Sequence, residues 1–121
     1  MVEKIKVGVA THDELRERAL QIARGERRRQ PDEPKIWFTS LESLAKVLSE
    51  SNRRLLKIID EQHPSSLAEL GALSGRKASN LSRTLKTMSQ CGLVKLVPGK
   101  RGSLAAEVLV REIQMDLSIV A

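Results

Sequence analysis

The sequence is almost without aromatic side chains: Trp37 and Phe38 stand side by side, and there is no tyrosine. A core for this chain must therefore be aliphatic, assembled from Leu, Ile, Val and Ala, a composition that leans toward helices. The single cysteine, Cys91, excludes an intrachain disulfide and fits a reducing compartment. No run of 18 apolar residues is present to span a bilayer. At the N-terminus Glu3, Lys4 and Lys6 interrupt the apolar stretch that a secretory signal needs. These absences point to a soluble, cytoplasmic protein with no membrane association. At 121 residues, 40% of them hydrophobic, the chain can bury a core without metal or disulfide support.

One further absence is local. Between Leu70 and Ala106 there is no acidic residue, while Arg76, Lys77, Arg83, Lys86, Lys95, Lys100 and Arg101 all fall there. The other 14 basic residues are matched by all 15 acidic ones, so the net charge of +6 resides in this one segment. Such a segregated charge is the footprint of a polyanion-binding surface.

Periodicity orders the rest. Residues 2–9 place Ile5, Val7 and Val9 on one side of a short half-buried strand. Thr11 and Glu14 form a capping box opening a helix to about Arg28, with Leu15, Ala19, Ile22 and Ala23 as its buried stripe. The linker-like run from Gln30 to Pro34 stops that helix and divides the chain into 1–33, a strand-helix extension, and 34–121. A second capping box, Thr39 with Glu42, opens a helix carrying Leu41, Leu44, Ala45 and Leu48. Ser51 caps a third helix with Leu55, Ile58 and Ile59 inward, ended by Pro64. Ser66 and Glu69 open a short helix with Leu67, Leu70 and Leu73, and Ser74-Gly75 turns the chain. The next helix spans about Lys77 to Gln90, with Gly92 at its C′ position. Leu93 to Val97 reads as a strand, Pro98 to Gly102 as a turn, and Ala105 to Val110 as the return strand. Ile113, Met115, Leu117 and Ile119 alternate with polar residues as a last half-buried strand.

The order helix, short turn, helix and basic-tipped hairpin predicts a mostly α, α+β fold of the winged helix-turn-helix type. On the helix at 77–90, Ala78, Leu81, Leu85 and Met88 share one face at 100° per residue. Arg83 points away from them, beside Arg76, Ser79, Lys86, Thr87 and Gln90, with Asn80 on the flank. A helix fits the major groove, where Arg bonds guanine bidentately and Asn or Gln bonds adenine. Ser79 and Thr87 are short enough to reach phosphates or base edges without blocking entry. Lys77 and Lys86 would meet phosphates, and Lys95, Lys100 and Arg101 would charge the hairpin. The expected ligand is double-stranded DNA.

The run Pro64-Ser65-Ser66-Leu67-Ala68-Glu69-Leu70, through Gly75-Arg76-Lys77-Ala78-Ser79-Asn80-Leu81-Ser82-Arg83-Thr84-Leu85-Lys86 to Gly92-Leu93-Val94, resembles the MarR- and ArsR-type winged-helix regulators over residues 40–110. The resemblance implies that helix 77–90 reads the bases and that Gly-Leu-Val leads into the wing. Trp37-Phe38-Thr39-Ser40 and the trailing strand also resemble a group of small regulators, some encoded beside toxins. An autoregulatory repressor is the implied role, with an antitoxin that neutralises a toxin protein as the alternative. Long flanking dimerisation helices of the MarR kind are missing. There is also no Cys/His cluster, so metal sensing is not implied.

Other features read as structural. Arg24, Arg27, Arg28 and Arg29 form a solvated helix end, suited to the dipole there. Trp37 and Phe38 pack against the helices, and Cys91 is a thiol buried under the turn. His12 and His63 have no partner at metal-ligand spacing. Nothing resembles a nucleophile motif, a phosphate loop or paired catalytic carboxylates, so neither enzymatic activity nor a cofactor is expected. Regulators of this kind read two half-sites as a twofold dimer. A homodimer is therefore expected, with strand 2–9 and helix 11–28 supplying much of the interface.

Overall fold

The computed structural model describes residues 2–120. The fold is α+β, with five helices and five strands among the described residues, and none of the helices is long and apolar enough to cross a membrane. Strand β1 (Val2–Val9) leads into helix α1 (His12–Ala23), and strand β2 (Ile36–Phe38) follows. Helices α2 (Leu41–Val47), α3 (Glu50–Gln62), α4 (Leu67–Ser74) and α5 (Ala78–Gln90) come next. A hairpin of β3 (Val94–Pro98) and β4 (Leu104–Val108) then runs into β5 (Val110–Met115).

Two sheets result. β3 and β4 pair antiparallel, while β1 lies between β2 and β5 and is parallel to both, with Val9 opposite Phe38 and Val7 opposite Met115. The two ends of the chain thus pair within one molecule. Strand β5 stops at Met115, the pairing partner of Val7. The strand expected across Leu117 and Ile119 is not formed there; these side chains are 50% and 92% exposed.

Helix boundaries follow from capping chemistry. The N–H of Glu14 donates to Thr11 Oγ1 at 3.1 Å, and that of Glu69 to Ser66 Oγ at 3.1 Å, the N-cap half of each expected capping box; the Glu69 carboxylate accepts from Ser65 rather than from the Ser66 N–H. Two caps differ from expectation. Ser40, not Thr39, caps α2 by accepting from the N–H of Ser43, and Ser49, not Ser51, caps α3 by accepting from that of Asn52. Helix α1 ends at Ala23 rather than near Arg28, since Gly25 takes a left-handed φ of 75° and closes a Schellman turn. In that turn the Gly25 N–H donates to the Ile22 carbonyl and that of Glu26 to Gln21. The same motif ends α5, where Gly92 donates to Ser89 and Leu93 to Met88.

Burial is concentrated in two apolar clusters. One gathers Leu55, Ile59, Leu70, Leu81, Leu85, Met88, Leu93, Val94, Ala106 and Val108 from α3, α4, α5 and the hairpin. The other is built on Val7, Phe38 and Leu44, between the parallel sheet and α2. Ile36, Val47, Leu48 and Cys91 pack against both, so the clusters are joined. Each buried Leu, Ile or Met contributes roughly 1.5–3 kcal/mol of transfer free energy. Ala78 departs from its expected place on the buried face of α5, and Ala45 from that of α2; both are exposed.

Helix α1 has no buried residue, and of its expected stripe only Leu15 and Ile22 are half-buried. Arg18 anchors it instead. This guanidinium bonds the Glu33 carboxylate and lies 5.2 Å over the Trp37 ring. Trp37 in turn covers Gly8 of β1 so closely that a Cβ there would fall 2.5 Å from the indole. Arg27 approaches Glu33 at 3.7 Å, and the arginine pair holds the Glu33 carboxyl below its ordinary range, the Arg18 hydrogen bond being the main cause.

Candidate nucleic-acid interface

Leu81, Leu85 and Met88 turn one side of α5 into the first apolar cluster. That fixes which residues look outward. Ser79, Asn80, Ser82, Arg83, Lys86, Thr87 and Gln90 are exposed, and none is acidic. The helix N-cap is Lys77, which has no side-chain cap bond. A helix start with open N–H groups and a cation beside it suits an anionic ligand electrostatically.

Arg76 is placed differently from its neighbours. It is half-buried and spans three groups: Ser51 Oγ at 2.7 Å, Asn52 Oδ1 at 2.8 Å and Asn80 Oδ1 at 3.3 Å. Asn52 uses its amide nitrogen to cap the end of α2, donating to the carbonyls of Lys46 at 3.2 Å and Val47 at 3.0 Å. One network therefore joins the end of α2, the start of α3 and the start of α5. Its charge-assisted bonds set the angle at which α5 is presented. The Thr87 hydroxyl is also occupied, donating to the Arg83 carbonyl one turn back at 3.1 Å. Arg83 and Thr87 instead share a small groove with Lys46 of α2. Sequence reasoning missed Lys46, which lies between Glu42 and Glu50 and outside the acid-free segment.

The hairpin is fastened to the helices at its tip. Lys100 donates its backbone N–H to the Ser65 carbonyl at 3.1 Å, and Gly99 donates to that of Ser103 at 2.7 Å. A Cβ on Gly99 would sit 2.2 Å from the Ser65 oxygen, so glycine alone permits this approach. Ser65 also donates its hydroxyl, at 2.6 Å, and its N–H, at 3.2 Å, to Glu69 of α4. These two bonds lower the Glu69 carboxyl from its ordinary value, with a smaller contribution from Lys100. Lys100 and Arg101 are exposed at the tip, within a short 3-10 turn at Lys100–Gly102 in which Arg101 has φ 55°. Lys95 is exposed on β3 but stands directly across from Glu107 of β4, so its charge is locally offset.

The exposed cations thus fall in two groups, Arg83 and Lys86 on α5 and Lys100 with Arg101 at the hairpin tip. Cys91 closes α5 from half-buried ground between the two clusters, and burial pushes its thiol up, away from the reactive thiolate. Among the described residues no group of three or more His, Cys, Asp or Glu is placed to hold a metal ion. No curated protein and no solved structure matches the chain. The family described as HVO_A0114 matches residues 47–114, which carry α3, α4, α5 and the hairpin, and the chain belongs to that family.

Proposed function

We propose that the protein is a sequence-specific regulator of transcription, a cytoplasmic winged-helix homodimer that binds double-stranded DNA and represses its own gene. The observation that carries this reading is the outward face of α5, which combines Arg83 and Lys86 with hydroxyl and amide side chains and contains no carboxylate. In this reading α5 enters the major groove and Arg83 bonds a guanine edge, while Asn80 or Gln90 reads adenine. Lys77, Lys86 and Lys46 meet phosphates along the groove walls, and Lys100 and Arg101 follow the backbone at the hairpin tip. Arg76 acts through Asn52 and Asn80 as a positioning residue rather than as a contact. Lys95, offset by Glu107, contributes least.

The test is binding to a labelled duplex of the gene's own upstream region, against a scrambled duplex, across a salt series. The upstream duplex is expected to bind more tightly. Arg83→Ala should lose roughly 1–3 kcal/mol and part of the discrimination, as for a base contact. Lys100→Ala should weaken both duplexes alike and flatten the salt slope by about one unit. Equal affinity for both duplexes would overturn the sequence-specific part of the reading. Absence of binding to either at low salt would overturn the DNA reading itself.

A further inference from the structure

Helix α1 leaves its apolar stripe only partly covered: Leu15 and Ile22 are half-buried and Ala19 is exposed. These three side chains, with Pro34 and Trp37, line a cleft of about 320 Å³. Trp37 is held in place there by the Arg18 guanidinium, 5.2 Å from the centre of its ring, and by its close contact with Gly8. An apolar cleft of this size with a few polar groups at its edge is the form that small-molecule sites take. Its polar groups carry a net charge. Arg18, Arg29 and Lys35 are cations, and Glu33 is the one carboxylate among the described residues that line the cleft. Arg18 and Arg27 both approach Glu33, so that charge is already answered. Arg29 and Lys35 are exposed, and among the described residues no carboxylate pairs with either. Two unanswered cations at an apolar cleft favour an anion there.

We infer that this cleft binds a small monocarboxylate with an apolar body, its carboxylate between Arg29 and Lys35 and its body against Leu15, Ile22 and Trp37. Both halves of the ligand are needed to match the lining. A neutral apolar molecule would leave the two cations unanswered. An inorganic anion would leave the apolar wall uncovered, and with it the larger part of the binding free energy that such a surface can supply. A second cation on the ligand would meet Arg29 and Lys35 unfavourably, because the only lining carboxylate is already held by two guanidinium groups. A bound molecule would tie α1 to the linker and to β2, filling the space that the stripe of α1 leaves open. The site lies between Leu15 and Trp37, outside the family-matched residues 47–114, and does not rest on the DNA reading.

Trp37 is the only tryptophan and lines the cleft, so its emission reports binding. The probes are cyclohexanecarboxylate, its uncharged carboxamide and acetate, titrated into the full chain at constant ionic strength. Cyclohexanecarboxylate should change the emission saturably, at about millimolar concentration or below. The carboxamide should bind about tenfold more weakly or worse, and acetate should give no saturable change. Arg29→Gln combined with Lys35→Gln should bring the affinities for carboxylate and carboxamide together. Both positions are exposed, so the fold is not at risk. Arg24→Gln combined with Arg28→Gln removes two exposed cations that do not line the cleft, and should leave the ratio of the two affinities unchanged. No saturable change with cyclohexanecarboxylate, equal affinity for the carboxamide or for acetate, or a preference that survives the changes at Arg29 and Lys35 would each overturn the proposal. So would a preference lost equally in the Arg24 and Arg28 variant, which would make it an effect of overall charge.

Discussion

Arg76 and Asn52, at the starts of two different helices, meet through a hydrogen bond of 2.8 Å in which the guanidinium donates to the amide oxygen. Because Asn52 also caps α2, the pair sets how α5 leaves the body of the protein. Arg76→Ala and Asn52→Ala are each expected to lower stability by about 1–2 kcal/mol. The double substitution should cost less than the two together, with a coupling of about 0.5 kcal/mol or more. Urea denaturation of the four proteins measures this directly. Additive losses would mean that the bond does not connect the helices energetically.

Gly8 lies under the indole of Trp37, and Gly8→Ala would place a methyl carbon 2.5 Å from the ring. Trp37 must then move, taking with it the Arg18 guanidinium stacked on it. The expected loss is about 1–3 kcal/mol. Since Trp37 is the only tryptophan, its fluorescence reports the event without interference, as a shift to longer wavelength. An unchanged emission maximum would show that the ring has room to yield.

Deleting the Leu81 side chain tests the foundation of the outward face. Leu81 is fully buried, with α3, α4 and the hairpin around it. Leu81→Ala should cost roughly 2–5 kcal/mol, and any loss of duplex binding should follow the loss of folded protein. Thermal unfolding and binding measured on one preparation distinguish this from a direct effect on contacts.

Acid should act through two carboxylates. Glu33, held by Arg18, and Glu69, held by Ser65, both have folded-state pKa values below their ordinary 4.5. A depressed value means that the folded state binds the proton less readily than the unfolded chain does. Their stabilisation is thus complete above the ordinary value and is lost as pH falls through 4.5 toward the lower folded-state values. The urea midpoint should be flat near neutrality and decline in that acid range. Glu33→Gln and Glu69→Gln should each make the decline shallower, whereas an unaltered profile would show that other groups govern it.

The helical half of the fold was legible in the sequence because its signals are local. Capping boxes at Thr11 and Ser66, the αL glycine after α5 and the spacing of Leu81, Leu85 and Met88 each involve a few neighbouring residues. At the starts of α2 and α3 the caps expected at Thr39 and Ser51 fall instead on Ser40 and Ser49, whose hydroxyls accept from the N–H groups three residues on. The parallel sheet was not legible. Strand alternation at 2–9 and 113–119 announces a half-buried face but not its parallel partners in one sheet, and the pairing of β1 with β5 closes over almost the whole chain. The outward cations of α5 were legible from the missing carboxylates. The inward turn of Arg76 was not, because its partners Ser51 and Asn52 sit on another helix.

The four side chains shared by both apolar clusters, Ile36, Val47, Leu48 and Cys91, carry a consequence for genetics. Because these residues join the two clusters, damage to the parallel sheet reaches the helices of the other cluster as well. A lesion at Val7 or Phe38, on the far side of those shared residues from the hairpin, would deplete the folded population as a whole. Under the proposed function, such alleles would score in a screen for lost repression like changes at Arg83, and only the amount of intact protein in the cell would tell the two kinds apart.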